Sequence, residues 1–278
     1  MTRPVPSADT IAFIGGGNMA RSLVGGMVAR GADPASIRVA EPVDAVREAL
    51  ARDFGVRVHA DASEVIEGAG TWVFAVKPQV MRTVCEGLAD RARHARPLAI
   101  SIAAGITTPQ LSAWLGGDAR VVRAMPNTPA LLGAGVTGLY ASANVDAAGR
   151  ERAESLLSAA GATVWIADEG LMDAVTAVSG SGPAYAFLLA EAMEDAARAQ
   201  GLPADAARTL VVQTLLGAAR MLDGSGEPPA ELRRRVTSPG GTTQAAIEAF
   251  EAGGLRQLVA EAIGAATSRG RELSAAND

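Results

Sequence analysis

Between residues 11 and 20 a short apolar run, Ile11-Ala12-Phe13-Ile14, passes directly into Gly15-Gly16-Gly17-Asn18-Met19-Ala20. An apolar strand followed at once by Gly-x-Gly-x-x-Ala is the fingerprint of a dinucleotide-binding βαβ unit. Each small residue has a mechanical reason. Gly15 permits a tight turn, Gly17 lets the backbone approach a pyrophosphate, and Ala20 lets helix and strand pack closely. Asn18 and Met19 open the helix, whose free N–H groups favour phosphate. The glycines would also serve a turn without a ligand, but the strand before them and the helix after them favour the dinucleotide reading.

The alternation continues for about 165 residues. Apolar or β-branched runs recur at 10–14, 37–40, 71–76, 98–102 and 121–124, and two later strands are expected at 136–140 and 163–166. Amphipathic stretches separate them, such as 43–54 with Val46, Ala49, Leu50 and Phe54 on one face. This order predicts βαβ units and a parallel sheet covered on both faces. After Asp168 the chain reads as helix throughout, broken at 180–183, 201–203, 224–229 and 238–241. The expected class is therefore α/β, with a Rossmann dinucleotide-binding domain over 1–167 and an all-helical domain over 168–278. Residues 184–190 and 209–219 carry no charge, and a helical domain of about 110 residues cannot cover both. A second subunit is expected on that surface.

A net charge of −5 argues against nucleic acid as a partner, since counterion release needs clustered basic charge. One cysteine, Cys85, and two histidines leave no material for a disulfide framework or a metal cluster, so no metal is expected. Residues 1–10 lack the apolar core of a signal peptide. The uncharged stretch 97–117 is interrupted by Gly105 and by Thr107-Thr108-Pro109-Gln110, so it reads as strand, turn and short helix rather than a membrane span. A cytoplasmic protein without a membrane partner is expected.

Several further positions carry chemistry. Glu41 ends the second strand, 24 residues after Gly17, where an acidic side chain accepts hydrogen bonds from adenosine ribose hydroxyls and repels a 2′-phosphate. Arg47 could offset that repulsion. A solvated strand-end carboxylate is the simpler alternative for Glu41. Lys77, in Val76-Lys77-Pro78-Gln79, is the only lysine of a chain otherwise served by arginine, and it stands at the sheet edge where doubly wound folds bind ligands. A surface lysine is the alternative there.

Three clusters are less ordinary: residues 123–130 (Arg-Ala-Met-Pro-Asn-Thr-Pro-Ala), 179–184 (Ser-Gly-Ser-Gly-Pro-Ala) and 236–243 (Val-Thr-Ser-Pro-Gly-Gly-Thr-Thr). The last, with hydroxyls before a helix start, suits a carboxylate. Turn and cap chemistry would use the same residues.

Taken in order, Phe13-Ile14-Gly15-Gly16-Gly17-Asn18-Met19, Val76-Lys77-Pro78-Gln79, Ser101-Ile102-Ala103-Ala104-Gly105, Met125-Pro126-Asn127-Thr128-Pro129-Ala130, Val178-Ser179-Gly180-Ser181-Gly182-Pro183-Ala184 and Ser238-Pro239-Gly240-Gly241-Thr242-Thr243 resemble the pyrroline-5-carboxylate reductase family. The resemblance spans almost the whole chain, and the last two motifs are its most specific. It implies a Rossmann domain, an all-helical domain and a homo-oligomer of at least a dimer, intertwined through those helices. It further implies hydride transfer from NADPH or NADH to 1-pyrroline-5-carboxylate, giving L-proline. The substrate carboxylate would rest on the backbone of Gly240, Gly241 and Thr242, with Ser238 nearby and the Thr243 hydroxyl facing the ring nitrogen. Lys77, Pro78 and Asn127 would line the nicotinamide side. The resemblance leaves the choice of coenzyme open, and both are expected to work.

The residues agree with that chemistry. Oxidation of an alcohol or a 2-hydroxy acid wants a general base near neutral pH, and 168–278 contains neither His nor Lys. A cyclic imine can arrive protonated and accept hydride directly, so position and an electrostatic cradle suffice. Thr243 is too weak an acid to act alone and is expected to hydrogen-bond the nitrogen or a proton-delivering water. Two rival readings are a β-hydroxyacid-type dehydrogenase with Lys77 as general acid/base, and a non-catalytic dinucleotide-binding module.

Overall fold

The computed structural model describes residues 10–276; apart from Thr10, the N-terminal stretch read above as no signal peptide lies outside them. Among the described residues eight strands form one sheet: β1 (Ile11–Ile14), β2 (Ile37–Ala40), β3 (Arg57–His59), β4 (Thr71–Phe74), β5 (Leu98–Ser101), β6 (Arg120–Met125), β7 (Gly135–Ala141) and β8 (Gly161–Trp165). Their spatial order is β3-β2-β1-β4-β5-β6-β7-β8. The strand order reverses between β1 and β4, so these two strands flank the switch point where open α/β sheets bind ligands.

Between and after the strands run α1 (Asn18–Ala29), α2 (Asp44–Phe54), α3 (Ala62–Val65), α4 (Pro78–Ala95), α5 (Thr108–Trp114), α6 (Ala147–Leu157) and α7 (Met172–Val175). Consecutive strand residues point to opposite faces, and both faces are apolar. Phe13, Val39 and Val73 pack with Leu23, Val24 and Met27 of α1 and Leu156 of α6. Ile14, Trp72 and Phe74 pack with Met81, Cys85 and Leu88 of α4.

Two features depart from the expected sheet. β3 is a three-residue edge strand, Arg-Val-His, too short and too polar to register as an apolar run. β7 runs antiparallel to β6, although every other pairing is parallel. Residues 126–134 between them hold only a 3₁₀ turn, Thr128–Leu132. A parallel crossover needs about a dozen residues or more, so this connection can only reverse the chain.

The helical part comprises α8 (Gly182–Ala199), α9 (Ala204–Ser225), α10 (Pro229–Arg235), α11 (Thr242–Ala252) and α12 (Leu255–Ala275). The break between α11 and α12 at Gly253-Gly254 was not anticipated; Gly254 takes φ +75°, a left-handed conformation that ends the helix. Within the described residues, the chain up to Ser181 together with the chain from Ala266 forms one compact unit, and Gly182–Ala265 forms another. The first unit thus extends past the change in sequence pattern at Asp168. The reason is packing: Val175 of α7 lies against Gly138 of β7, and Gly180, ending a π-helical turn over Thr176–Gly180, lies against Met125. In the second unit only Ala207 and Val211 are buried, whereas Phe187, Leu188 and Leu210 stand well exposed. No helix among the described residues is long and apolar enough to cross a membrane.

Candidate functional site

At the carboxyl ends of β1 and β4 the backbone closes tightly. Gly15 N–H donates to the Ala40 carbonyl at 2.8 Å, and Ala75 N–H donates to the Ile14 carbonyl at 2.8 Å. Gly15 has φ +103°, and a Cβ there would stand 2.7 Å from the Ala75 carbonyl oxygen. Only glycine fits. Gly17 differs: it is exposed, and a Cβ would meet nothing within 4 Å. It caps α1 in an extended conformation without a side-chain cap, so the N–H groups of Asn18 and Met19 begin a helix with nothing among the described residues to receive them. Ala20 is buried against the sheet, as expected for the small residue at that position.

These elements border a cleft of about 780 Å³ lined by Gly15, Gly17, Glu41, Asp61, Lys77 and Arg91, among others. A tight glycine turn, an open approach at Gly17 and free helix N–H groups beside a cleft of this size fit a dinucleotide. The structure thus brings together Gly15, Gly17, Glu41 and Lys77, with Asn18 and Met19 opening α1 beside them.

Glu41 is more constrained than its sequence position suggested. Its carboxylate accepts from Gly16 N–H at 2.9 Å and from Val43 N–H at 3.0 Å. Arg47 does not face outward to offset it: one guanidinium nitrogen donates to the Glu41 backbone carbonyl at 2.6 Å and another pairs with Asp44. Lys77 caps α4, with Pro78 opening its first turn, and its exposed side chain has no ion partner among the described residues.

Asp61 and Arg91 escaped the sequence reading. Asp61 caps α3 by accepting from Ser63 N–H at 2.7 Å. That N–H and the Ser63 hydroxyl, with the Arg91 charge, hold its carboxyl below the usual range. The signal was the Asp-x-Ser cap itself, hidden because β3 before it went unseen.

Asn127 is buried and clamps two segments: its Oδ1 accepts from Val136 N–H at 3.0 Å, and its Nδ2 donates to the Ser179 carbonyl at 3.1 Å. Arg123, in the same cluster, lies 95% buried and pairs with Asp173 at 3.0 Å and Glu169 at 3.5 Å. Glu169 also accepts from the N–H and hydroxyl of Thr108 at 2.7 and 2.6 Å, and Asp173 accepts from the Ser274 hydroxyl at 3.2 Å. This cluster serves architecture rather than the cleft.

The remaining expected residues lie in the second unit. Gly240 has φ +69° and turns the chain into α11, while Gly241 caps the helix in extended backbone. Gly241 N–H donates to the Ser238 carbonyl at 3.0 Å. Gly240 N–H donates to Oε1 of Gln244 at 2.7 Å, and Glu248 accepts from the other end of that amide at 2.7 Å. Gln244 was missed by the sequence reading; it is the third residue of α11, the position from which a Gln side chain reaches back toward the start of a helix. The hydroxyls of Ser238, Thr242 and Thr243 and the N–H groups of Thr242 and Thr243 have no hydrogen-bond partner among the described residues. The turn therefore presents several donors and no positive charge, which suits a small carboxylate.

The family model for pyrroline-5-carboxylate reductase dimerisation matches residues 169–273, and one described as NADP oxidoreductase, coenzyme F420-dependent, matches residues 10–105. A pyrroline-5-carboxylate reductase of Pseudomonas aeruginosa is 52% identical over 96% of this chain and 98% of its own. One from Vibrio alginolyticus is 42% identical over 95% and 97%. Among solved structures, a pyrroline-5-carboxylate reductase from Coxiella burnetii matches with a TM-score of 0.93 and 44% identity, covering 96% of this chain and 99% of that one. The NADP-bound pyrroline carboxylate reductase of Plasmodium falciparum matches with a TM-score of 0.84 and 26% identity, over 96% and 99%.

Proposed function

The chain belongs to the pyrroline-5-carboxylate reductase family, and from this we propose that it reduces the C=N bond of 1-pyrroline-5-carboxylate to L-proline with a hydride supplied by NAD(P)H. The observation that carries the reading is the turn before α11, with its unpartnered hydroxyls and helix N–H groups and no general base. It acts as a homo-oligomer, in keeping with the dimerisation model and the uncovered apolar helices.

In this reading residues 1–167 bind the coenzyme and 168–278 carry dimerisation and the substrate. Gly15 and Gly17 hold the backbone clear, the α1 N–H groups of Asn18 and Met19 bind the pyrophosphate, and Glu41 takes the ribose hydroxyls. Lys77 and Pro78 border the nicotinamide side. Asn127 acts there through its clamp on Val136 and Ser179, which fixes the backbone leaving β6.

The Thr242 N–H, with Gly240, Gly241 and Ser238, receives the substrate carboxylate. Gln244 leaves Gly240 when the carboxylate arrives. The Thr243 hydroxyl hydrogen-bonds the ring nitrogen, which becomes an amine as the neighbouring carbon is reduced. No side chain needs to donate a proton to the nitrogen, because the imine is protonated before it binds and the iminium takes the hydride directly. Lys77 adds positive charge near the nicotinamide pocket. In this reading the protein works in the cytoplasm. The test is coenzyme oxidation with 1-pyrroline-5-carboxylate and detection of proline, run beside a panel of hydroxy acids with oxidised coenzyme. Turnover of a hydroxy acid without turnover of the imine would refute the reading.

A further inference from the structure

We infer that this chain prefers NADH to NADPH by at least tenfold, because the Glu41 carboxylate is locked where it would accept from the ribose hydroxyls and repel a 2′-phosphate, and the arginines around it are already engaged. The inference rests on the reductase reading above and concerns its coenzyme cleft.

The lock is geometric. The two Glu41 oxygens accept from Gly16 N–H at 2.9 Å and Val43 N–H at 3.0 Å, so the side chain ties the glycine turn to the segment after β2. Rotating the carboxylate away from an incoming phosphate would strand both donors, one of them on buried Gly16. A 2′-phosphate brings roughly −1.5 to −2 charges at neutral pH, by analogy with other phosphate monoesters. Enzymes that accept NADPH place an arginine near this position.

Here the nearby arginines are engaged. Arg47 holds the Glu41 carbonyl and Asp44, and Arg21 pairs with Asp53 and stacks on Phe54 at 4.8 Å. Arg38 donates to the Glu67 carbonyl at 2.6 Å. Two cations line the cleft, Arg91 and Lys77. Arg91 shares the cleft with Asp61, a second carboxylate whose negative charge offsets it there. Lys77 follows β4, two strands from β2, which places its backbone about 10 Å from that of Glu41 at the usual strand spacing.

The test measures dissociation constants of NADH and NADPH by fluorescence titration without substrate, then kcat/KM for each with the imine. Expected in the wild type is NADH binding at least tenfold tighter. In Glu41→Gln and Glu41→Ser the ratio should fall to within threefold of unity or invert. Arg47→Ala should leave NADPH affinity within twofold, since Arg47 has no part in phosphate binding. Equal or tighter NADPH binding in the wild type overturns the inference, as does an unchanged ratio in both Glu41 variants or a large loss of NADPH affinity in Arg47→Ala. Binding of neither coenzyme would overturn the reductase reading, and this inference with it. A proper coenzyme ratio without imine turnover would uphold the inference and refute only the substrate.

Discussion

Replacing Arg123 by methionine keeps much of the side-chain volume and removes the charge that two carboxylates face. Asp173 is 10% and Glu169 17% exposed at the side chain, so neither can recover full hydration. Their losses are unequal. Glu169 sits 3.5 Å from the guanidinium and retains two donors from Thr108, whereas Asp173 loses a 3.0 Å charged hydrogen bond and keeps, among the described residues, only the Ser274 hydroxyl. Breaking a buried pair from one side costs about 3–5 kcal/mol. Because one partner stays well satisfied, the lower end applies, about 3 kcal/mol. For a chain of this size that corresponds to a fall in Tm of roughly 6–9 °C.

The control is Arg123→Met combined with Glu169→Gln and Asp173→Asn, which replaces both charges with amides that still hydrogen-bond. Thermal and urea unfolding by circular dichroism should show the triple variant regaining at least half the loss. Hydrogen exchange adds a local readout, since Gln110 and Asp173 both hold Ser274, so the last turn of α12 should exchange faster in the single variant. A loss below about 1 kcal/mol, or a triple variant no more stable than the single one, would refute the reasoning that stranded charge dominates.

Thr243→Val retains shape and removes one hydroxyl; turnover with the imine should drop about 10²-fold while coenzyme binding stays the same, as steady-state kinetics and titration will show. Leu188→Asp puts a carboxylate on the uncovered apolar face of α8, where Leu188 is 66% exposed, and light scattering should report weakened assembly; unchanged assembly would place the interface elsewhere. Cys85 is buried, and burial pushes its thiol up to about 12, so the reactive thiolate is scarce until pH approaches that value. A thiol reagent at pH about 8 should therefore find no cysteine in the native protein and one per chain after denaturation.

The N-terminal glycine turn was legible because its structural reasons are local. A strand, a glycine turn and a helix follow one another in sequence, and the reasons for Gly15 and Ala20 act between neighbours or across one strand pair. What escaped were pairings set by tertiary contact. Arg123 stands beside Met-Pro-Asn in sequence, yet its partners lie 46 and 50 residues away. The orientation of β7 follows from a connection too short to cross over, a fact visible only once both strand ends are known. Glu41 does follow β2 at the border of the cleft, but its grip on Gly16 and Val43 and the engagement of Arg47 depend on a turn that no periodicity reports.

The helical half reverses this relation between local pattern and contact. Its sequence marks the breaks through Gly and Pro, and the absence of charge over 184–190 and 209–219 signals burial. Yet within residues 182–265 only Ala207 and Val211 are buried. The same residues that read as core in sequence therefore read as surface in one chain: Phe187 and Leu188 on α8 are 69% and 66% exposed, and Leu210 on α9 is 55% exposed. Apolar patches of this kind mark protein interfaces in stable proteins. Hydrophobic burial is indifferent to chain identity, so a pattern that demands a core specifies a second copy as readily as a larger domain. Assembly is in this sense part of the fold of the helical half, and the turn that holds Ser238 to Thr243 is borne by a unit whose own core is incomplete in a single chain.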